Sequence, residues 1–134
     1  MTNKELTDLA ELLVAQYFDD LNTIPPIIGT KALSYYGIFR WRGSYLSGAS
    51  CDIRISCFCP YPSVTLLHEL VHYWQWINGF KPSHDSKFKF KIKSAGLPIA
   101  DRPYSPDARR EDRAREHQIK CDIGLMESPT FEVK

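Results

Sequence analysis

The pentapeptide His68-Glu69-Leu70-Val71-His72 lies inside an apolar run from Val64 to Ile77, and no other stretch constrains the fold as much. Residues four apart share one face of an α-helix. As a helix, the run lets His68 and His72 present two imidazoles to one metal ion, with Glu69 beside a water held there. Two histidine ligands and a carboxylate base from a single helical turn is how zinc hydrolases assemble a reactive centre. The fold must therefore accommodate a helix over about 63–79 that is apolar apart from these groups. Ser63 is positioned to cap its start, and Asn78-Gly79 to end it.

At 134 residues the chain is long enough to bury a core, and one domain over residues 1–134 is expected. Its 43% hydrophobic and 25% charged content is that of a soluble globular protein. A formal net charge of +1 gives no global field for nucleic acid or membrane. No apolar run approaches the roughly 18 residues needed to cross a bilayer. The N-terminal Met1-Thr2-Asn3-Lys4-Glu5 lacks the layout of a signal peptide, so a cytoplasmic monomer without membrane contact is expected. Four cysteines (Cys51, Cys57, Cys59 and Cys121) suit core thiols, with a Cys51–Cys121 bridge open only to a secreted chain.

Thr2 with Glu5 three residues later reads as a capping box. Leu6, Leu9, Leu13, Val14, Tyr17, Phe18 and Leu21 follow at helical spacing, so a first helix is expected from about 3 to 21. Pro25-Pro26 bars its continuation. Residues 27–56 are rich in β-branched and aromatic side chains punctuated by Gly29, Gly37, Gly43 and Gly48. Ile53-Arg54-Ile55-Ser56 alternates with period two. The expectation is a small, mostly antiparallel sheet of three strands, the last at 52–57. Lys87-Phe88-Lys89-Phe90-Lys91-Ile92-Lys93 also alternates strictly, yet Phe88, Ile92 and Ala95 fit a helical stripe, so periodicity alone leaves 80–100 open. Pro106-Asp107-Ala108 opens a charged helix over about 106–121. The fold class is α+β.

Catalytic zinc usually takes three protein ligands and keeps one position for water. His84, Glu111, Glu116 and His117 are the candidates to join His68 and His72. His84 follows His72 by twelve residues, enough for the helix to end and the chain to return. A second metal site from Cys57, Cys59, Cys121 and His117 has irregular spacing.

Leu67-His68-Glu69-Leu70-Val71-His72, then His84-Asp85-Ser86-Lys87-Phe88, then Ala95-Gly96-Leu97-Pro98 resembles the SprT-like zinc metallopeptidase domain, the family of the Spartan DNA-dependent proteases. The strand at Ile53–Ser56 and the Arg42-Gly43 pair resemble segments of that family, and the likeness covers roughly residues 5–100. It implies a zincin-like fold, an N-terminal helix, an active-site helix and C-terminal helices. It also implies helix rather than strand over 84–95. By the same resemblance, His68, His72 and His84 hold zinc, Glu69 is the general base, and Phe88 packs beneath the site. Asp85 departs from the family's glycine after the third histidine. A positive φ that aspartate tolerates, or a hydrogen bond from Asp85 to a ligand imidazole, are the two roles open to it. The Cys-rich ribbon of some members has no counterpart, since Cys57-x-Cys59 precedes the helix and lacks the spacing.

The expected activity is hydrolysis of peptide bonds in a protein or peptide substrate by a zinc-activated water, with Glu69 as base. The alternative is a zinc-stabilised, non-catalytic DNA- or protein-binding module. Lys81, Lys87, Lys89, Lys91 and Lys93, with Phe88 and Phe90 interleaved, form a strip suited to DNA contact. If His84 is not the third ligand, Glu111 is its rival. Arg102 and Tyr104 are placed to reach an oxyanion.

Overall fold

The computed structural model describes residues 1–45, 50–101 and 106–126, with main chain only for 106–110. Among them are four helices and a three-stranded mixed sheet, an α+β arrangement. The helices are α1 (Asn3–Tyr17), α2 (Pro62–Ile77), α3 (Ser86–Ser94) and α4 (Pro106–Asp122). The strands are β1 (Ile27–Thr30), β2 (Gly37–Trp41) and β3 (Cys51–Ser56).

Helix α1 starts on the expected capping box: the Glu5 N–H donates to Thr2 Oγ1 at 3.1 Å, and the Thr2 N–H donates to Glu5 Oε1 at 2.9 Å. It ends at Tyr17, four residues before the expected boundary at 21, and Phe18 turns to extended backbone. Asp20 explains the early exit. Its two carboxylate oxygens accept from Trp74 Nε1 and from Lys91 Nζ, each at 2.8 Å. Continuing the helix would also place Asp19 and Asp20 at the negative end of its dipole. Phe18 and Leu21 remain buried on the extended chain, so their helical spacing reflected core contact without helix.

The sheet order is β1-β3-β2. β2 pairs antiparallel with β3, and β1 pairs parallel with β3. The expected mostly antiparallel sheet is therefore mixed, one ladder of each kind. Alternation told which side chains face inward, and Ile53 and Ile55 are indeed buried, but a period of two is silent about which strand lies beside which.

Helix α2 touches α1, α3, α4, β2 and β3. Such a helix must be apolar nearly all round, and Val64, Leu66, Leu67, Leu70, Val71 and Trp76 are buried on it. Its start differs from expectation. Pro62 occupies the first turn, Tyr61 is the N-cap, and Ser63 is inside the helix. The capping acceptor comes from another element: Glu116 of α4 accepts from the Ser63 N–H at 3.1 Å and the Val64 N–H at 2.9 Å. The end is as expected, with Asn78 as C-cap and Gly79 at φ +81°. Gly37 lets β2 lie close against α2, because a Cβ there would meet Thr65 Cγ2 at 2.4 Å and Ile55 Cδ1 at 3.1 Å.

Residues 86–94 are helix, the outcome implied by the resemblance and opposed by strict alternation. Phe88 and Ile92, four apart, are both buried on it, and Lys91 joins them through its ion pair with Asp20 and its stacking over the Trp74 and Phe18 rings.

Candidate metal centre

Helix α2 supplies His68 and His72 from successive turns, and the 78–85 turn returns His84 to them. His68 Nε2 lies 3.0 Å and His72 Nε2 lies 3.1 Å from His84 Nε2. Among the described residues these three form a group whose ligand atoms lie within 4.8 Å of one another, close enough to hold a metal ion. Phe88 is fully buried below them, its ring 4.9–5.0 Å from all three imidazole centroids.

The protonation of the cluster follows from Gln75, a fully buried residue one turn beyond His72. Gln75 Nε2 faces two acceptors, the Ser83 carbonyl at 2.9 Å and Asp85 Oδ1 at 3.2 Å. Its amide orientation is thereby determined. Gln75 Oε1 then accepts from the Ser83 N–H at 3.2 Å, and it lies 2.8 Å from His72 Nδ1. His72 Nδ1 must carry the proton, and His72 Nε2 faces the cluster as a lone pair.

That arrangement fits a cation. With His72 Nε2 unprotonated, a single proton on the other two rings satisfies one short N···N contact and leaves the other opposed. An ion facing all three nitrogens satisfies both. Tetrahedral zinc at about 2.05 Å from each nitrogen would space them by about 3.3 Å, near the observed 3.0 and 3.1 Å. Electrostatics agree. Burial, reinforced by His72 and His84, holds the His68 imidazole well below its usual value. Burial pushes His72 down to about 4 and lowers His84. Neutral imidazole is the ligand form.

Glu69 is buried beside this cluster in sequence and faces β2, where its side chain lies against Gly37 and takes a hydrogen bond from the Phe39 main chain. Burial pushes its carboxyl up to about 8, against a hydrogen bond from the Phe39 main chain that favours the ionised form. A nearby cation also favours the carboxylate.

The other candidates lie elsewhere. Glu111 is exposed on α4 and pairs with Arg115 at 2.6 Å. Glu116 caps α2. His117 is exposed, with its Nε2 3.6 Å from Cys121 Sγ. All four cysteines are thiols, and Cys59 Sγ sits 3.1 Å from Thr65 Oγ1. Asp85 takes neither role open to it. Its φ is −87°, and its side chain caps α3 by accepting from the Lys87 and Phe88 N–H groups. The imidazole partner is Gln75, which sequence reading missed. The signal available was a polar residue three positions after His72 in an otherwise apolar run; its meaning depends on where the 83–85 segment lies.

Of the lysine strip, Lys91 is inside, Lys87 lies over the Phe80 ring, Lys93 faces Asp101 at 3.8 Å, and Lys81 and Lys89 are exposed. Arg102 and Tyr104 lie outside the described residues. Among the described residues no helix is long and apolar enough to cross a membrane. Comparisons with protein-family models, with curated proteins and with solved structures give no match to this chain.

Proposed function

We propose that the chain is a zinc-dependent metallopeptidase of the SprT-like, zincin-like kind, with His68, His72 and His84 as ligands and Glu69 as general base. One observation carries this reading: His84 Nε2 lies 3.0 and 3.1 Å from the Nε2 atoms of His68 and His72, two residues of a helix that also carries a buried carboxylate at position 69. Three nitrogen ligands and a carboxylate neighbour are the donor set of a hydrolytic zinc centre rather than of a closed structural site, which takes four protein ligands. When bound, the ion supplies Lewis acidity, which lowers the pKa of a water it holds and polarises the scissile carbonyl. Glu69 takes the proton from the attacking water and delivers it to the departing amine. His68 and His72 keep their relative placement because one rigid helix carries both. Phe88 excludes water from beneath the rings, which strengthens the electrostatic interactions above it. The substrate class is protein or peptide. The alternative, a zinc-stabilised DNA- or protein-binding module, needs no role for Glu69.

The test is elemental analysis joined to a cleavage assay on an unfolded protein substrate. The expected result is one zinc per chain, retained in Glu69→Gln and Glu111→Ala and lost in His68→Ala and His84→Ala. Cleavage by wild type and none by Glu69→Gln supports the enzyme. Zinc retained by His84→Ala, or wild-type cleavage by Glu69→Gln, overturns the assignment.

A further inference from the structure

We infer that Gln75 is the positioning residue of the three-histidine centre, setting the tautomer of His72 and holding the His84 segment in place through one side-chain amide. This inference rests on the metal-binding reading above and adds a requirement that the ligand set alone does not contain.

The amide uses all of its hydrogen-bonding capacity. Its two N–H bonds go to the Ser83 carbonyl and Asp85 Oδ1, and its oxygen accepts from the Ser83 N–H and from His72 Nδ1. Ser83 and Asp85 flank His84, so the residues on both sides of the third ligand are tied to one side chain. The same side chain touches a ligand on α2. Gln75 therefore joins the two halves of the site, the helix that carries two imidazoles and the turn that carries the third.

Three consequences follow. Neutral imidazole has two tautomers, and only the one protonated at Nδ1 offers Nε2 to a metal. The Gln75 oxygen selects that one. Holding both residues beside His84 removes backbone freedom from the turn before any ion arrives, so less ordering remains to oppose binding. Asp85 Oδ1 also caps α3, so the Gln75 contact sets the placement of the helix whose Phe88 floors the site. Leucine at position 75 would satisfy the apolar surroundings and supply none of this.

Histidine-labelled, metal-free wild-type protein tests the tautomer directly by nitrogen-resolved NMR. His72 is expected as the neutral ring protonated at Nδ1; protonation at Nε2 overturns the inference without any variant. Zinc titration against a competing chelator then compares wild type, Gln75→Leu and Gln75→Glu. Loss of a group that orients a metal ligand typically weakens binding 10- to 100-fold, and that loss is expected for Gln75→Leu. In its metal-free form the His72 proton is expected to move to Nε2, whereas Gln75→Glu, which keeps an acceptor, retains it on Nδ1. Should Gln75→Leu fail to fold, the wild-type spectrum decides, since a neutral His72 protonated at Nε2 there is contrary to the assignment. Equal zinc affinity in wild type and folded Gln75→Leu removes the inference and leaves the metalloenzyme standing. A wild type that takes up no zinc removes the metalloenzyme reading itself.

Discussion

Glu69 shows how a single residue can couple burial to protonation and stability. Its carboxyl is pushed up to about 8 by burial, from an ordinary value of 4.5. A raised carboxyl pKa means that the metal-free fold prefers the protonated acid. The associated stability is fully present below pH 4.5 and is lost as pH rises through 8. Glutamine at 69 does not titrate. Metal-free Glu69→Gln is therefore expected to be more stable than wild type at pH 8, by an amount on the order of 4 kcal/mol at about 1.4 kcal/mol per unit. The difference narrows to under about 1 kcal/mol at pH 5. Urea denaturation at the two pH values measures it, and a pH-independent difference would mean that the carboxyl is well solvated. Saturating zinc should shrink the gap at pH 8, because a cation beside the carboxylate offsets its desolvation. At this scale the sequence was informative where spacing alone determines geometry. His68 and His72 share a face on any regular helix, and the twelve residues from His72 to His84 are enough for the helix to end and the chain to return. Gln75 was opaque, because its four hydrogen bonds involve a turn whose path no local pattern encodes. Asp85 was misjudged for a related reason: as the residue after His84 it was given either a positive φ or a hydrogen bond to an imidazole, whereas it caps α3 and meets His72 through Gln75.

Among the elements, the start of α2 depends on a carboxylate from α4, fifty-three residues away in sequence at Ser63. Ser63 looked like the cap, because a hydroxyl before an apolar run is the usual signature. Pro62 displaced it by beginning the helix one residue earlier. The orphan N–H groups at Ser63 and Val64 then found a buried acceptor in Glu116, which is 5% exposed. Negative charge at a helix N-terminus is also favoured by the helix dipole. Removing that acceptor in Glu116→Ala leaves buried donors unpaired and is expected to lower stability by about 1–3 kcal/mol. The readout that separates this role from the rejected one as a ligand is the metal: Glu116→Ala should still bind one zinc per chain when folded. Loss of zinc at unchanged stability would return Glu116 to the ligand set. Helix α3 teaches the converse lesson about periodicity. Strict alternation over 87–93 argued for a strand, but it also places Phe88 and Ile92 four apart, and a helix buries that pair while Lys87, Lys89 and Lys93 stay exposed and Lys91 turns inward to Asp20. Tertiary contact decided between two patterns that the same residues satisfy.

At the scale of the whole molecule, the centre joins parts that the chain separates. His68 and His72 belong to α2, which packs against α1, α3, α4 and two strands, while His84 belongs to the turn leading into α3. A ligand that binds only the assembled site stabilises the fold by mass action, about 2.7 kcal/mol at a free concentration one hundred times its dissociation constant. For a chain of 134 residues, each kcal/mol raises the melting temperature by a few degrees, so zinc should raise it by roughly 10 °C and a chelator should reverse the rise. The effect should not be spread evenly. Because α2 is already held on all sides, the ion adds most where the scaffold is thinnest, in the turn at 78–85 and in α3. Hydrogen exchange should therefore slow more over 83–95 than over α1 when zinc is added. Glu69→Gln should keep most of the thermal shift, since it removes no ligand and forgoes only the attraction between the ion and the carboxylate, and His84→Ala should lose it. If instead α1 and the sheet gained as much protection as the turn, the ion would be acting on a globally unfolded chain. In that event the fold would depend on metal as a small zinc-folded module does, and the preformed scaffold argued from α2 would be wrong.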